Sequence, residues 1–425
     1  MKARWFTLLT VILCCSACSA PSLRHKKDVN KLLANKDYTA AVAKIESGKN
    51  KEYSRRDRVL YYLDSGAVLH DAEQYKESDQ RLSQAQDRIE ELFTQSVSAH
   101  TAQFLVNDLT VSYVPADYEK ALTYYYRAMN FLAQHNISDA LVEANRAVYF
   151  LDQLRGSTGK DNAFVQYFMS LVFESAGRLD DARIARARAE QAFGTAPAFP
   201  KPVAGWGEVV LVHSNGVVPL KKTATFQLAW GHVLGYINTH QENTSNVSPQ
   251  VRNAIYAGAL GNSITVAYPV LEDQPYAIAA SEVVTAQGQV YNTQLLGNVA
   301  DEAKQELKDK QTGTLMRAAL RAAAKRVAAV QTKNTVSKQS NSSGWGDAAE
   351  MFVSFLGALT EKADTRQWFT LPAQLRVTRF YVPPGEQDIT LRFKNRFGKI
   401  IETYTFEKVP VTAGGRVYLH HRTAK

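Results

Sequence analysis

Apolar positions recur at helical spacing through residues 28–196, where proline is almost absent and no alternating strand pattern occurs. A short motif repeats in this half, in which a bulky residue precedes a small one by three positions. It occurs at Tyr38–Ala41, Tyr75–Ser78, Ile137–Ala140 and Leu179–Ala182. Small residues let antiparallel helices approach closely, and the bulky residue fills the space at the turn between them. The pattern predicts a series of helical hairpins.

One hairpin carries apolar or small residues at offsets of 3, 9, 12, 16 and 19 from Gly66, namely Leu69, Tyr75, Ser78, Leu82 and Ala85. This spacing resembles the tetratricopeptide consensus. The same offsets recur from Ala128 and from Ser170, although Arg186 interrupts the second copy. The small positions 41, 78, 140 and 182 do not keep a strict repeat of about 34 residues. The resemblance implies a degenerate tetratricopeptide-like α-solenoid over 28–196 with an inserted helix near 88–115; an unrelated helical bundle is the alternative.

The pattern changes at Pro197–Pro202, where three prolines in six residues stop a helix and favour extended chain. We interpret 197–206 as a linker. Beyond it, short runs bounded by Gly, Asn and Pro predict strands at Glu208–His213, Ser263–Val270, Tyr276–Ala286, Leu375–Val382, Ile389–Phe393, Ile400–Glu407 and Arg416–His420. We predict an α+β multidomain protein with a mostly antiparallel β domain, comprising a β-rich region 207–300, a helical insertion 301–362 and a C-terminal antiparallel β region 363–425.

Two helices are predicted within the insertion. The helix over 313–332 has an apolar face and a basic one, and Arg317, Arg321 and Lys325 on the basic face are candidate contacts to a membrane or an anion. Packing of this helix over the sheet is the favoured interpretation. The second helix starts at Asp347 and is apolar nearly all round to Leu359, as expected of a core helix or an amphipathic plug. A polar loop, 331–346, lies between the two.

The first 18 residues contain all three cysteines. A charged start is followed by an apolar stretch, Trp5–Cys15, that is too short to span a bilayer. The sequence Cys15–Cys18 resembles a bacterial lipobox, with Cys15 where leucine is usual. The resemblance implies removal of signal peptide 1–17 and lipid attachment at Cys18, followed by a tether over 18–27. Ordinary secretion with cleavage near Ala17 or Ala20 is the alternative.

The chain has 425 residues with 50 basic and 41 acidic side chains, so removal of Lys2 and Arg4 with the signal peptide leaves a net charge of +7. In a periplasm the anionic neighbours are lipid head groups, lipopolysaccharide and peptidoglycan, and not nucleic acid. A general solubilising surplus of positive charge is the alternative interpretation.

Sequence motifs for catalysis are absent: the chain has no Gly-rich phosphate loop, HExxH, GxSxG or CxxC. His420 and His421 are adjacent on a predicted strand and point to opposite faces, so they are poor joint metal ligands. We therefore expect no enzyme, no cofactor and no metal site. Tyr124, Tyr125 and Tyr126 are candidate partner-binding residues, and helical geometry requires at least one to be exposed. Core packing is the favoured role for any single tyrosine.

The lipobox-like start, the helical half and a β half containing Asp364–Trp368, Leu371–Pro372 and Pro383–Gly385 together resemble a largely uncharacterised family of proteobacterial lipoproteins. Asp364 and Arg366 are expected to form an anchoring pair. The resemblance implies an outer-membrane address facing the periplasm, and association with lipoproteins that regulate peptidoglycan synthases.

The expected function is that of a scaffold or adaptor held to the membrane through lipidated Cys18. It would bind protein partners in cell-envelope assembly, with peptidoglycan contact as a further expectation. A pilotin-like assembly factor for a pilus, secretion or polysaccharide-export system is the alternative, and an envelope hydrolase is third.

Overall fold

The computed structural model describes residues 21–96, 111–240, 247–258, 260, 262–339 and 363–425. It is an α+β structure with eleven α-helices and three sheets in these ranges. The fold class and the helical character of the N-terminal half are therefore as predicted.

The N-terminal half contains eight α-helices: α1 (Leu23–Ala34), α2 (Tyr38–Gly48), α3 (Arg58–Asp71), α4 (Tyr75–Ser96), α5 (Asp117–Ala133), α6 (Ile137–Thr158), α7 (Ala163–Ser175) and α8 (Leu179–Phe193). Short polar residues start several of them, because a side-chain oxygen satisfies a backbone amide of the first turn. Asp37, Asn136 and Asn162 accept from the third amide beyond them. Residues 97–110, half of the inserted helix predicted near 88–115, lie outside the description, and residues 88–96 belong to α4.

The helical hairpins are closely packed where the small residues lie. A Cβ atom added to Gly66 on α3 would lie 2.7 Å from the side chain of Leu82 on α4. The Ser78 hydroxyl donates to the Gly66 carbonyl at 2.7 Å across the same pair of helices. The glycine is therefore required by the short distance between the two helices.

The tether predicted over 18–27 is incorrect from residue 23 onwards, because α1 begins at Leu23. The Ser22 side chain accepts from the His25 amide and so starts the helix. Lys26 is fully buried, and its Nζ donates to the Thr365 carbonyl at 2.6 Å. Burial lowers the pKa of Lys26 to about 8. This part of the chain is anchored to the C-terminal half.

The second half contains ten strands and three helices: β1 (Gly207–Asn215), β2 (Leu220–Ala229), α9 (Trp230–Thr239), α10 (Pro249–Tyr256), β3 (Ser263–Glu272), β4 (Ala280–Thr285), β5 (Val290–Asn292), β6 (Gln294–Gly297), α11 (Val299–Gln339), β7 (Gln374–Val382), β8 (Gly385–Lys394), β9 (Ile400–Val411) and β10 (Arg416–Thr423). All seven predicted strands overlap observed ones. Strands β2, β5 and β6 and helices α9 and α10 were not predicted.

One sheet has the order β10-β1-β7-β6 and a second has the order β5-β4-β8-β9, while β2 and β3 form a separate hairpin. Six of the seven strand pairings in the described chain are antiparallel, and β1 with β10 is the parallel one. The two four-stranded sheets enclose an apolar layer that includes Leu211, Val283, Phe380 and Leu391. This sandwich agrees with the predicted antiparallel arrangement.

The main core does not stop at the linker. Its buried side chains extend from the helices, for example Val29 and Phe168, into β1 and β7 and the Trp368–Leu371 segment. The Trp368 amide donates to the Glu119 carboxylate on α5 at 2.8 Å. The predicted boundary at 197–206 divides the chain in sequence, but the helices and the first sheet share one core.

Helix α11 packs against β3 and α9, as the favoured interpretation of its apolar face predicts. Met316, Leu320 and Ala323 lie in a satellite core with Trp230 and Val233. The helix starts at Val299, well before the predicted start at 313. The loop predicted over 331–346 is wrong for residues 331–339, because α11 continues to Gln339. The rest of that loop and the second predicted helix, from Asp347, lie outside the described residues.

Candidate functional site

A cleft of about 990 Å³ opens between helices α7 and α8 and the first sheet. Its floor is formed by side chains of β1, β7 and β10, and its outer wall by the chain that connects the helical half to β1. Concave sites of this size, where helices meet a sheet, are the usual location of ligand binding in proteins.

The outer wall is the predicted linker, and it is held in place. The rings of Phe199 and Tyr167 lie 5.7 Å apart. The Gln294 side chain exchanges hydrogen bonds with the backbone N–H and C=O of Ala198. The Gly414 amide donates to the Trp206 carbonyl at 3.0 Å. Helix α8 ends at Phe193, where Gly194 adopts a left-handed conformation, and the proline-containing segment then crosses the cleft.

The floor carries a closed arrangement of two carboxylates and two guanidinium groups. Nε of Arg379 and Nε of Arg416 each donate to a different oxygen of Glu208, both at 2.6 Å. The same arginines donate to Oε2 of Glu174, from Nη2 of Arg416 at 2.7 Å and Nη2 of Arg379 at 3.3 Å. Each carboxylate is therefore shared by both arginines, and all four side chains are mostly buried.

Arg186 on α8 adds a third guanidinium group, which also donates to Glu174. Burial alone would raise the pKa of Glu174, but Arg379, Arg186 and Arg416 outweigh burial and lower it. The cluster of three arginines and two glutamates carries one net positive charge. Nε of Arg186 is buried and has no hydrogen-bond partner among the described residues.

Aromatic side chains line the rest of the cleft: Tyr167, Phe199, Trp206, Tyr381 and Tyr418. The Tyr418 hydroxyl lies 2.8 Å from Ser175 Oγ and donates to the Leu171 carbonyl at 3.0 Å, which ties β10 to α7. Burial raises the pKa of Tyr167 to about 12, so this phenol stays protonated at neutral pH. The walls are thus rigid aromatic surfaces beside a charged floor.

This arrangement is suited to binding. A general acid needs a carboxyl group with a raised pKa, and the arginines have the opposite effect on Glu174. Arginine, tyrosine and tryptophan in a concave, partly dehydrated surface are the side chains that contribute most to protein recognition. The cleft can therefore hold an extended ligand by aromatic contact and by hydrogen bonds to the arginines.

The three candidate tyrosines do not lie at this cleft. Tyr125 and Tyr126 are buried in the main core, where Tyr125 contacts Phe168 and Tyr126 contacts Trp368 at ring distances of 4.8 and 5.5 Å. Their proposed role as partner contacts is therefore wrong, because burial removes them from any external ligand. Tyr124 is partly exposed and packs against Phe150. The expectation that at least one of the three is exposed holds only for Tyr124.

The candidate basic face of α11 is also only partly accessible. Arg321 is buried, so it cannot serve as a membrane or anion contact. Arg317 is half-buried and donates to Thr314 Oγ1 at 3.2 Å. The side chain of Lys325 lies outside the description, as does Cys18, the predicted lipidation site.

Two smaller predictions are confirmed. Arg366 and Asp364 form a bidentate pair, with Nε and Nη2 donating at 2.9 and 2.8 Å. Arg366 also donates to Asp57 of the helical half at 3.1 Å, so the pair anchors the two halves to each other. His420 and His421 point to opposite faces of β10: His420 contacts Ser214 and His70, and His421 contacts Tyr404.

Sequence reasoning missed Glu174, Glu208, Arg379 and Arg416. These residues come from one helix and three strands, and no local motif links them. The sequence signal was Glu208, a charged residue at the start of an apolar run. The structure shows that all nine residues of this strand, β1, are buried. A buried charge of this kind indicates a partner elsewhere in the chain.

No protein-family model, no curated protein and no solved structure matches this chain. Among the described residues, no group of histidine, cysteine and acidic side chains is arranged to hold a metal ion. No helix in the same residues is long and apolar enough to cross a membrane.

Proposed function

We propose that the protein is a non-enzymatic adaptor of the bacterial cell envelope, which binds an extended segment of a protein partner in the cleft beside Glu174 and Arg186. The observation that carries the proposal is the combination of aromatic walls with arginine-neutralised carboxylates in one concave site. Such a surface offers contact area and hydrogen-bond donors, and its carboxylates are poorly suited to proton transfer.

The partner segment is proposed to run along the wall formed by residues 199–203, where Val203 and Lys201 are exposed. Its carbonyl or carboxylate oxygens would accept hydrogen bonds from the guanidinium group of Arg186, whose side chain is 33% exposed and lines the cleft. The aromatic side chains would cover its apolar side. A hydrolase is disfavoured on the same grounds, because the arginines lower the pKa of Glu174.

The helical half is proposed to be a degenerate tetratricopeptide-like array. Close packing of Gly66 against Leu82 supports this proposal, because the repeat consensus requires a small residue where two helices touch. In such an array the last hairpin, α7 and α8, would present one wall of the cleft to the partner. The proposed partners are proteins of cell-wall synthesis, in keeping with the family resemblance.

The adaptor is proposed to be attached to the outer membrane through Cys18 and to face the periplasm. Replacing Cys18 with serine should move the protein from the membrane fraction to the soluble periplasm. It should also abolish incorporation of radiolabelled palmitate. Continued palmitate incorporation by the Cys18→Ser variant would contradict lipid attachment at Cys18.

The cleft is tested by site-specific photocrosslinking in cells that carry the full chain. A photoreactive amino acid at Val203 in the cleft should capture a defined protein, and the same residue at Tyr149, exposed on α6, should not. Lys201→Glu should reduce the capture, because it reverses a charge at the cleft. Lys76→Glu reverses an exposed charge on α4, away from the cleft, and should leave the capture unchanged.

Capture of the same proteins from Val203 and Tyr149 would contradict the adaptor proposal. Crosslinks from Val203 to peptidoglycan alone would contradict a protein ligand and would show that the cleft binds a glycan. Capture of pilus or secretion subunits would support the binding site but would favour the pilotin-like function over a role in cell-wall synthesis.

A further inference from the structure

The turn between β8 and β9 exposes a group of apolar side chains at the end of the second sheet. Phe397 is 78% exposed, the highest value for a large hydrophobic side chain in the described chain, and Ile400 and Ile401 are 40% and 43% exposed. All six residues from Arg396 to Ile401 are exposed. We call residues 394–401 the tip. Exposed apolar groups of this kind mark surfaces that contact another phase or molecule.

The turn that presents Phe397 is internally hydrogen-bonded. Oδ1 of Asn395 accepts from the backbone amides of Phe397 at 2.9 Å and of Lys399 at 3.1 Å. The Asn395 amide donates to the Lys399 carbonyl at 2.9 Å, which closes the loop. Gly398 has φ of 77°, a conformation that glycine adopts without strain. Phe397 is thus held in its exposed position by the turn.

The two isoleucines owe their exposure to an irregularity in β9. Phe393 pairs with Glu402 and Lys394 pairs with Ile400, so Ile401 is an extra residue without a partner. Successive residues of a regular strand point to opposite faces, and a bulge changes the direction of the side chains beside it. Here it leaves both Ile400 and Ile401 exposed next to the turn that carries Phe397.

Positive charge surrounds these apolar groups. The tip contains Lys394, Arg396 and Lys399 and no acidic residue. The guanidinium carbon of Arg396 lies 4.7 Å from the centre of the Phe397 ring. Lys394 is paired with Glu282, whereas Arg396 and Lys399 have no acidic side chain within 4 Å in the described chain. Within the described ranges, two cations of the tip are therefore not neutralised by an acidic side chain.

We propose that the tip is a membrane-contact site that inserts Phe397, Ile400 and Ile401 into an anionic lipid surface. Aromatic side chains favour the boundary between head groups and acyl chains, where the apolar ring is buried. Arg396 and Lys399 would extend to the lipid phosphates while their stems stay beside the apolar groups. The pattern favours a lipid surface over a protein partner. A lipid surface has phosphates directly above acyl chains, and this hydrogen-bonded turn places cations on both sides of an aromatic ring. The inference goes beyond the proposed adaptor function and does not depend on the cleft.

The test uses the full chain with Cys18→Ser, so that no lipid attachment contributes. Binding is measured by sedimentation with vesicles of phosphatidylcholine alone or mixed with phosphatidylglycerol. The parent should bind the anionic vesicles more strongly, and Phe397→Ser should weaken that binding about tenfold. Arg396→Gln with Lys399→Gln should weaken it on the order of twentyfold at low salt, and less at high salt. Tyr149→Ser, at another exposed aromatic residue, is the matched control and should bind like the parent.

A local readout separates the tip from any contribution of the first residues, which all variants share. In Phe397→Trp, the added indole fluorescence should shift to shorter wavelength with anionic vesicles and be quenched by brominated lipid. Equal binding by Phe397→Ser and the parent, or no spectral change in Phe397→Trp, would overturn the proposal. A photoreactive amino acid at position 397 could instead capture a protein while Phe397→Ser leaves vesicle binding unchanged. That result would assign the tip to a protein partner.

Discussion

Glu208 and Arg416 are register partners on the parallel strands β1 and β10, and their side chains meet at 2.6 Å on the floor of the cleft. They are 208 positions apart in the sequence. The pair can form only when the last strand of the chain lies beside the first strand of the β half. The binding site is therefore complete only after the C-terminal strand has been added to the sheet.

Glu208→Gln should destabilise the protein. The substitution removes the charge shared by Arg379 and Arg416, whose side chains are 12% and 16% exposed. Breaking a buried pair from one side costs about 3 kcal/mol, and here the two arginines would keep Glu174 as their one shared carboxylate. Urea denaturation of the two proteins measures the difference. Glu190→Gln, at a partly exposed residue lining the same cleft, should change the free energy of unfolding by less than about 0.5 kcal/mol.

Gly66→Ala should destabilise the helical half even though alanine favours helices. The new methyl group would lie 2.7 Å from Leu82, and overpacking typically costs about 1–3 kcal/mol. Gly156→Ala in α6 is the matched control, since no atom lies within 4 Å of the added carbon. That substitution should stabilise the protein by about 0.5–1 kcal/mol. Thermal unfolding followed by circular dichroism checks both, and equal effects would contradict the proposed close packing.

Histidines with a lowered pKa should each destabilise the fold as the solution becomes mildly acidic. Burial lowers the pKa of His70 to about 4. Burial also lowers the pKa of His421, to about 3, and the smaller effects of Lys36 and Glu402 on it oppose each other. Burial also lowers the pKa of His213 and His420 well below 6.5. A lowered pKa stabilises the fold above about pH 6.5, and this contribution disappears as the pH falls towards the folded-state value. The raised pKa values of Asp71 and Glu302, both about 7, and of Asp64 act in the opposite direction, so the histidine effect is measured as the difference between a variant and its parent.

Replacing His421 with phenylalanine tests this pH dependence. His421 packs between Phe393 and Tyr404, so an aromatic ring is tolerated there. Between pH 7.5 and 5.5, His421 should lower the free energy of unfolding of the parent by about 1.4 kcal/mol. The decrease between the two pH values should therefore be about 1.4 kcal/mol smaller in the variant. Urea titrations at the two pH values measure the change. His232→Phe, at an exposed histidine, should leave the pH dependence unaltered, and an identical shift in both variants would count against burial as its cause.

The isolated fragment 200–425 should not fold cooperatively. Without the helices, Trp368, Phe369 and Leu371 would lose the packing that leaves them 0% exposed. The Trp368 amide would also lose its hydrogen bond to Glu119. We expect weak near-ultraviolet circular dichroism and binding of a hydrophobic dye. A monomeric fragment with a sharp thermal transition would show instead that the sheets form a core of their own.

Prediction from sequence succeeded where one element decides the outcome. The helical hairpins follow from small residues at fixed spacing, as Gly66 shows, and the strands from alternating runs such as Ile389–Phe393. Prediction from sequence failed where contacts between distant elements determine whether a residue is buried. For Tyr125 and Tyr126 the pattern left both a partner contact and the favoured core role open, and only the packing of α5 under the Trp368 segment shows that both are buried.

The sequence by itself determined the α+β class, most strand positions, the Asp364–Arg366 pair and the opposite orientation of the adjacent histidines, because these depend on contacts a few residues apart. Only the tertiary structure decided that the helices and the first sheet share one core, that β10 lies parallel to β1, and that Glu174, Glu208, Arg379 and Arg416 come together. Each of these features joins residues separated by long stretches of chain. Their contacts depend on strand order and helix packing, which no local pattern of polar and apolar residues specifies.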